Sequence, residues 1–428
     1  MIFNILCKLD KDENYIINNI HDVVEFMDKK KYRHNLWKRR INFTKIPKFP
    51  TLVGLDLYYL SLFVYYADKK ILRAAFEDSW TRNIRLYIPV LEKKKWDKIR
   101  KDVEHLLSFL TGDNWYLEFR KRELQDYELK YKKRIEKSKD KKLIVKNIAM
   151  LSGGLDSFIG AIDLLEEKKE TIFVSLYGGG KGVTPYQNNV KNSLTKKYKV
   201  IDDYFFSFYA APVDGKEDTT RSRSFMFFAH AILIATGMNA DVNLYIPENG
   251  LISLNIPFTK TRLGSNSTRT THPHYMEELQ NIIEHLGISV KLINPYQFKT
   301  KGEMILDCKN IDFIGKNIHM TMSCSHPDQG RWNQESTAQH CGHCWPCIIR
   351  RAAIKKASIK IRENYRDHLF QKGNKAKWEK HAYLKAVHDF NGSNNIITIQ
   401  KAGPIQRQIK DYAKVYSRGM QEVVDLLS

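Results

Sequence analysis

A chain of 428 residues is longer than one hydrophobic core usually serves, so two or three domains are expected. Its 43% hydrophobic and 12% aromatic content excludes a disordered protein, and no run of about 18 uncharged apolar residues argues for a transmembrane helix. A net charge of +22 at pH 7 favours an anionic partner: nucleic acid, nucleotides or an acidic protein.

The segment Met1 to Cys7 is apolar but lacks a basic leader and a small-residue cleavage site, so it reads as a first strand rather than a signal peptide. Residues 1–118 read as a small α+β domain. Ile84, Leu86, Ile88 and Val90 alternate, as do Trp115, Leu117 and Phe119, which predicts strands. Helical patterns lie around Leu55–Leu72 and Trp96–Leu110. No catalytic signature appears here, His21 and His34 are isolated, and a docking or substrate-shaping role is the default expectation. Residues 119–146 form a basic linker, with twelve Lys/Arg against five acids over 120–146. A solvated helical face explains this, and a nucleic-acid contact is the sharper alternative.

From residue 147 strands and helices alternate. Ile144, Val145, Ile148, Ala149, Met150 and Leu151 enter a Ser152-Gly153-Gly154 turn, and Leu155, Phe158, Ile159, Ile162 and Leu165 leave it at helical spacing. A strand, a glycine turn and a helix N-terminus collect an anion, because unpaired backbone N–H groups point at the ligand and two glycines let a phosphate approach closely. Ser152 and Ser157 add hydroxyls, and Asp156 adds a carboxylate for Mg²⁺. The Walker A pattern is absent. Thr171–Leu176 reads as a strand, Gln187–Tyr198 as a helix, Val200–Phe208 as extended and Ser222–Met238 as an apolar helix. Val242–Ile246 and Ser289–Ile293 read as strands flanking a helix at Tyr275–Leu286, and Thr300-x-x-Glu303 is a capping box opening a helix through Leu306. The alternation predicts an α/β fold with a doubly wound parallel sheet, which binds ligands beyond the carboxyl ends of its strands. Residues 356–428 form a basic, mostly helical tail, with a Gly392–Asn395 turn before a strand-like Ile396–Ile399.

Six cysteines, four of them within residues 324–347, do not resemble a secreted disulfide scaffold, so a reducing, cytoplasmic setting is expected. Cys324, Cys341, Cys344 and Cys347 offer four thiols for a closed tetrahedral site, with zinc or iron–sulfur open on spacing alone. His326, His340 and His343 are rival ligands, while Cys7 and Cys308 read as packing residues.

The run Met150-Leu151-Ser152-Gly153-Gly154-Leu155-Asp156-Ser157 resembles the SGGxDS signature of the PP-loop ATP pyrophosphatases, which split ATP to AMP and pyrophosphate. With the four-cysteine knot it resembles the QueC family, the 7-cyano-7-deazaguanine synthases of queuosine biosynthesis, from about Asn147 to Ala353. Leu176-Tyr177-Gly178 is similar to the family's Asp-Tyr-Gly segment, and Arg223 within Thr220–Ser224 to the arginine of its Pro-Gly-Arg-Asn turn. Pro247–Gly250 stands where the family has a substrate-facing loop, and Asn294-Pro295 through Lys301 and Glu303 resembles its Thr-Pro…Asp-Lys-x-Glu stretch. Cys341-Gly342-His343-Cys344-Trp345-Pro346-Cys347-Ile348-Ile349-Arg350 follows the family's Cys-Gly-x-Cys-x-x-Cys-x-x-Arg.

The resemblance implies a PP-loop, HUP-like ATPase domain at 147–355 that carries the zinc knot, with ATP, Mg²⁺ and Zn²⁺ as cofactors. It implies that Leu151, Ser152, Gly153, Gly154, Leu155, Asp156, Ser157 and Arg221 bind the nucleotide. Asp156, Ser157, Arg223 and Lys301 would be catalytic, Tyr177, Glu248 and Asn249 would face the substrate, and Cys324, Cys341, Cys344 and Cys347 would hold the metal. Departures are the long Ser325–His340 insert, a basic, hydroxyl-rich loop at Thr259–Arg269 in place of an acidic one, and the added N-terminal 140 residues and tail. Long QueC-like proteins of this build resemble the QatC component of Qat anti-phage systems and QueC-like members of cyclic-oligonucleotide defence operons. The expected activity is adenylation of a 7-deazaguanine carboxylate, then transfer to a nucleophile such as an amine of a partner protein, with no membrane partner. The alternatives are an ammonia-dependent 7-cyano-7-deazaguanine synthase, an enzyme modifying nucleic acid, or a nucleotide-binding scaffold.

Overall fold

The computed structural model describes residues 1–428 apart from 12, 38–42, 178–181, 239, 258–268, 329–336, 362 and 391–393. Most of the Thr259–Arg269 loop, Gly178, and Gly392 and Ser393 of the expected turn therefore lie outside the described residues.

The N-terminal region runs β1 (Phe3–Lys8), β2 (Asp22–Glu25), β3 (Tyr32–His34), α1 (Leu52–Lys70), β4 (Asn83–Val90), α2 (Lys93–Lys98), α3 (Arg100–Thr111), β5 (Asn114–Lys121) and α4 (Asp126–Lys137). Four of its strands pair in the order β2-β1-β4-β5, and every pairing is parallel. The alternation of Ile84 to Val90 predicts strands but not their direction. Parallel neighbours need long crossovers, and α1 and α2–α3 supply them, so this region is layered α/β rather than α+β. Helix α1 is apolar around most of its circumference, with Leu55, Tyr58, Leu62 and Tyr66 all buried, because it lies between two layers. It packs on β4 on one side and on α7 (Arg223–Thr236) and β8 (Phe205–Pro212) on the other.

The second sheet is built from β6 (Asn147–Met150), α5 (Leu155–Glu166), β7 (Thr171–Tyr177), α6 (Thr184–Tyr198), β8, α7, β9 (Val242–Tyr245), α8 (Gly250–Leu254), α9 (Pro273–His285) and β10 (Val290–Ile293). Its order is β10-β9-β6-β7-β8-β3. Five strands are parallel, and β3 closes the edge antiparallel to β8, Tyr32 facing Pro212. The N-terminal region thus lends a strand to the second sheet, and one apolar core runs through both. The chain winds outward from β6 through β7 and β8, then returns to β9, so β6 and β9 border the topological switch point.

Two sequence expectations change. The extended run begins at Phe205, because Asp202–Tyr204 form a 3₁₀ turn. Ile396–Ile399 belongs to helix α14 (Asn395–Gln400), not a strand: the Asn394 side chain accepts from the Ile396 and Ile397 N–H groups, and Ile399 is buried. Packing there overrides the β-branched composition. The remaining helices are α10 (Lys301–Leu306), α11 (Ile311–Asn317), α12 (Trp345–Lys356), α13 (Gly373–Phe390) and α15 (Ile409–Leu427). The tail packs: α15 lies on α8, α12 and α14, burying Val415, Tyr416, Met420 and Val423 with Leu251 and Ile348. Among the described residues no helix is long and apolar enough to cross a membrane.

A buried ion network fixes the N-terminal region. Fully buried Arg82 donates to Asp113 through Nε at 3.0 Å and through Nη2 at 2.6 Å, and Nη2 lies 2.6 Å from Asp68 Oδ1. Arg73 grips the same Asp113 at 2.8 and 3.0 Å. Removing one partner of such a network strands the others in low dielectric, at a cost of about 3–5 kcal/mol. Arg82→Met is therefore expected to lower the urea midpoint far more than Lys93→Met, whose partner Asp97 is exposed.

Candidate functional site

The site forms where β6 and β9 run side by side and their following loops diverge. Leu151 N still donates to Val174 O at 2.7 Å, and then the chain turns. Gly153 holds φ +85°, a conformation suited to glycine, and a Cβ there would lie 2.8 Å from Gln187 Cγ and 3.0 Å from its backbone nitrogen. Gln187 braces the turn from α6, its Nε2 donating to Ser152 O at 3.2 Å and Leu176 O at 3.3 Å. Met322 N donates to Gly153 O at 2.9 Å from the opposite side. Ser152 Oγ donates to Ser157 Oγ at 3.1 Å, and Ser157 Oγ to Gly154 O at 2.9 Å. Gly154 is the N-cap of α5 and brings no side chain, so the first-turn N–H groups face outward as an anion cradle.

Asp156, on the first turn of α5, is the hub, and it is buried. Its Oδ1 lies 2.6 Å from Lys301 Nζ, and its Oδ2 accepts from Asn249 N at 3.1 Å and Asn249 Nδ2 at 2.7 Å. Asn249 also caps α8, its Oδ1 accepting from Ile252 N at 3.0 Å. The loop after β9 comes this close because residue 160 of α5 is glycine: a Cβ there would lie 2.3 Å from Pro247 Cγ. Lys301 opens α10, whose capping box is Thr300 and Glu303. Glu422 of α15 ties that helix start down, accepting from Thr300 Oγ1 and from Gly302 N at 3.3 Å.

Burial pushes the Asp156 carboxyl up, but Lys301 and the neighbouring hydrogen bonds outweigh it and hold the group below the usual carboxylate range. Burial, then the Asp156 charge, pushes the adjacent Glu248 carboxyl well above its usual value. The two carboxyls are therefore driven apart, Asp156 toward its charged form and Glu248 toward its protonated form. These two carboxyls suit a divalent cation, which would let both ionise.

The two arginines of the β8–α7 connection part company. Arg223 Nη2 donates to Leu176 O at 3.3 Å, the carbonyl Gln187 also holds, which places it beside the turn; its Nε is buried without a partner. Arg221 turns instead toward the N-terminal region, donating to Thr111 O and stacking on Trp80 at 4.8 Å. The connection is organised by Asp68, whose Oδ2 accepts from Ser222 Oγ at 2.6 Å, Ser222 N at 3.2 Å and Thr219 Oγ1 at 3.2 Å. Tyr177 closes β7 opposite Tyr209, one strand away from the Asp156 cluster.

Cys324, Cys341, Cys344 and Cys347 converge with all four sulfurs within 4.8 Å. The Cys324–Cys344 and Cys341–Cys347 separations are both 3.9 Å, against about 3.8 Å for sulfurs placed tetrahedrally at 2.3 Å from zinc. The cluster fits one zinc ion. Of the rival histidines, His343 pairs with Glu379 of α13 while also bonding the Cys341 sulfur, and His340 Nε2 accepts from Ser323 N at 3.3 Å. Fully buried Arg350 binds Glu363 at 2.9 and 3.1 Å, Thr321 Oγ1 at 2.8 Å and Ile318 O at 2.7 Å, so the knot helix α12 holds the strip that carries both Met322 and Cys324. Gln187, Met322 and Glu422 have no local sequence signature; Arg350 lies in the cysteine motif and was legible.

Residues 270–358 match the family model of the queuosine biosynthesis protein QueC. That segment contains Lys301 and the four cysteines, while the Ser152–Ser157 turn and Glu248 precede it. No curated protein matches the chain.

Two outcomes are expected. Glu248 has a raised folded pKa, so the folded state holds the extra proton, and stability falls as pH climbs from the ordinary glutamate range toward that raised value. Glu248→Gln removes this slope, and its melting temperature should rise relative to wild type with increasing pH. Cys344→Ser should lose one equivalent of zinc per chain by atomic emission, and melt well below wild type because structural metal binding is folding free energy.

Proposed function

We propose that the chain is a QueC-like, ATP-dependent synthase that activates the carboxylate of a 7-deazaguanine as its adenylate and passes it to an amine. The observation that carries this reading is the meeting of Asp156, Glu248, Asn249 and Lys301 beside a glycine turn at the switch point of a parallel sheet. The cradle of Ser152, Gly153, Gly154 and Ser157 would receive pyrophosphate, with Arg223 and Lys301 facing the charge that develops on it. Asp156 and Glu248 are the groups suited to hold Mg²⁺, which when bound supplies charge neutralisation for the phosphates.

The chemistry balances in two displacements. A carboxylate oxygen attacks the α-phosphorus, and pyrophosphate leaves with the electrons of the broken P–O bond. An amine nitrogen then attacks the activated carbonyl carbon, the C–O bond to AMP breaks, and the amine loses one proton. With ammonia the product is the amide on the way to the nitrile; with an amine of a partner protein it is a protein–deazaguanine conjugate, the reading that suits a defence-associated chain like QatC. In this division residues 147–355 carry the chemistry, 1–118 set the arginine connection through Asp68, and 356–428 seat Lys301 through Glu422.

The test is AMP and pyrophosphate release from ATP, Mg²⁺ and 7-carboxy-7-deazaguanine. Wild type should form AMP only with the acid present, and Asp156→Ala and Lys301→Met should each lower the rate by about 10²–10³-fold with zinc content unchanged. No acid-dependent AMP from folded, zinc-loaded protein would overturn adenylation of this carboxylate.

A further inference from the structure

A cleft of about 470 Å³ opens where the N-terminal region, the β8–α7 connection, the end of α8 and the cysteine knot meet. Trp80 and Trp345 contribute to its walls, and Arg221 and Asn255 line it. None of these four belongs to the Asp156 cluster.

Arg221 is 8% exposed, and among the described residues no carboxylate pairs with it directly, although Glu217 and Asp218 also line the cleft. Among the described residues its guanidinium makes one hydrogen bond, to the neutral carbonyl Thr111 O, and it lies on the Trp80 ring, which Arg73 also contacts. The nearest acid network is closed to it, since Asp113 is gripped by both Arg73 and Arg82 and Asp68 by Arg82 and Ser222. Burial, then the charge of Arg73, lowers its pKa to about 10. Asn255, in a left-handed conformation at the end of α8, presents a buried Nδ2 with no hydrogen-bond partner. A buried cation with no directly paired carboxylate and a buried donor without an acceptor each carry a desolvation penalty that a ligand would relieve. Arginine also suits carboxylates because its fork accepts them bidentately.

We propose that this cleft is the subsite for the acid substrate: a planar heteroaromatic carboxylate whose ring lies along the tryptophan walls, its carboxylate held by Arg221 and a ring acceptor by Asn255. The proposal rests on the carboxylate-adenylation reading and adds that the N-terminal region, through Trp80, forms part of the substrate site. Helix α8 joins the two places: its N-cap Asn249 holds Asp156 and its C-cap Asn255 lines the cleft, a span of about 9 Å at 1.5 Å per residue.

The experiment is titration of the full chain, without ATP, with 7-carboxy-7-deazaguanine, followed by quenching of tryptophan fluorescence. Wild type and Asp156→Ala should bind the acid equally, because Asp156 stands outside the cleft. Arg221→Gln and Asn255→Asp should each weaken binding by tenfold or more, raise the KM for the acid rather than lower kcat, and leave binding of a fluorescent ATP analogue unchanged. The ATP analogue also reports that each variant is folded. If both variants bind the acid as wild type does and keep its KM, the cleft assignment is overturned while adenylation stands. If wild type neither binds the acid nor forms AMP with it, both fall.

Discussion

Two carboxyls and one lysine are packed together where β6 and β9 part, and much of the structure is arranged around that imbalance. Asp156 and Glu248 share a single Lys301, and burial with the Asp156 charge pushes the Glu248 carboxyl well above its usual value. Folding has to place these groups from three remote segments, because α5 alone brings only Asp156. The loop after β9 brings Glu248 and Asn249, admitted by the missing side chain at Gly160. Helix α10 brings Lys301. A cluster that is one positive charge short is also one that a divalent cation would suit.

The extra segments act on this cluster indirectly. The C-terminal helix α15 reaches it through Glu422, which pins the first turn of α10 and hence the origin of the Lys301 side chain. The cysteine knot reaches it through Arg350 and the Ile318–Cys324 strip, whose Met322 fixes the carbonyl of Gly153. The N-terminal region reaches it through Asp68, which accepts three hydrogen bonds from the start of α7 and so orients the connection carrying Arg221 and Arg223. In each case a side chain from a distant segment satisfies orphan groups at a helix start or turn. That is an economical coupling, because helix ends carry unpaired backbone groups that some partner must meet.

Legibility in the sequence followed the locality of the physics. The Ser152–Ser157 turn was readable because its parts are consecutive and its period switches from strand to helix at the glycines. The cysteine knot was readable because three thiols lie within one turn. Glu248, Asn249 and Lys301 were reached through family resemblance, since nothing in their own neighbourhoods marks a carboxylate destined for Asp156. Gln187, Met322 and Glu422 were not readable at all: each is an ordinary residue made important by a partner 35 or more positions away. Ile396–Ile399 misled for the complementary reason, as its β-branched run is overruled by packing against α15. The N-terminal strands were visible from alternation, but the parallel pairing that makes the region α/β depends on crossovers that alternation does not encode.

The charge distribution shows the same division between what is conspicuous and what acts. The net charge of +22 draws attention to the basic stretch around α4, where Lys130, Lys132, Lys133 and Lys137 are all exposed. Hydrated lysines lose little by standing alone, and their pull on an anion is screened within about 10 Å at ordinary salt. Arg221 and Arg223 number only two, yet among the described residues neither has a carboxylate partner, and burial removes the water that would otherwise compensate them. Asp68 sharpens the contrast. It binds Ser222, the residue between the two arginines, while Arg82, Ser222 and Thr219 occupy its oxygens, so it fixes the connection without pairing directly with either arginine among the described residues.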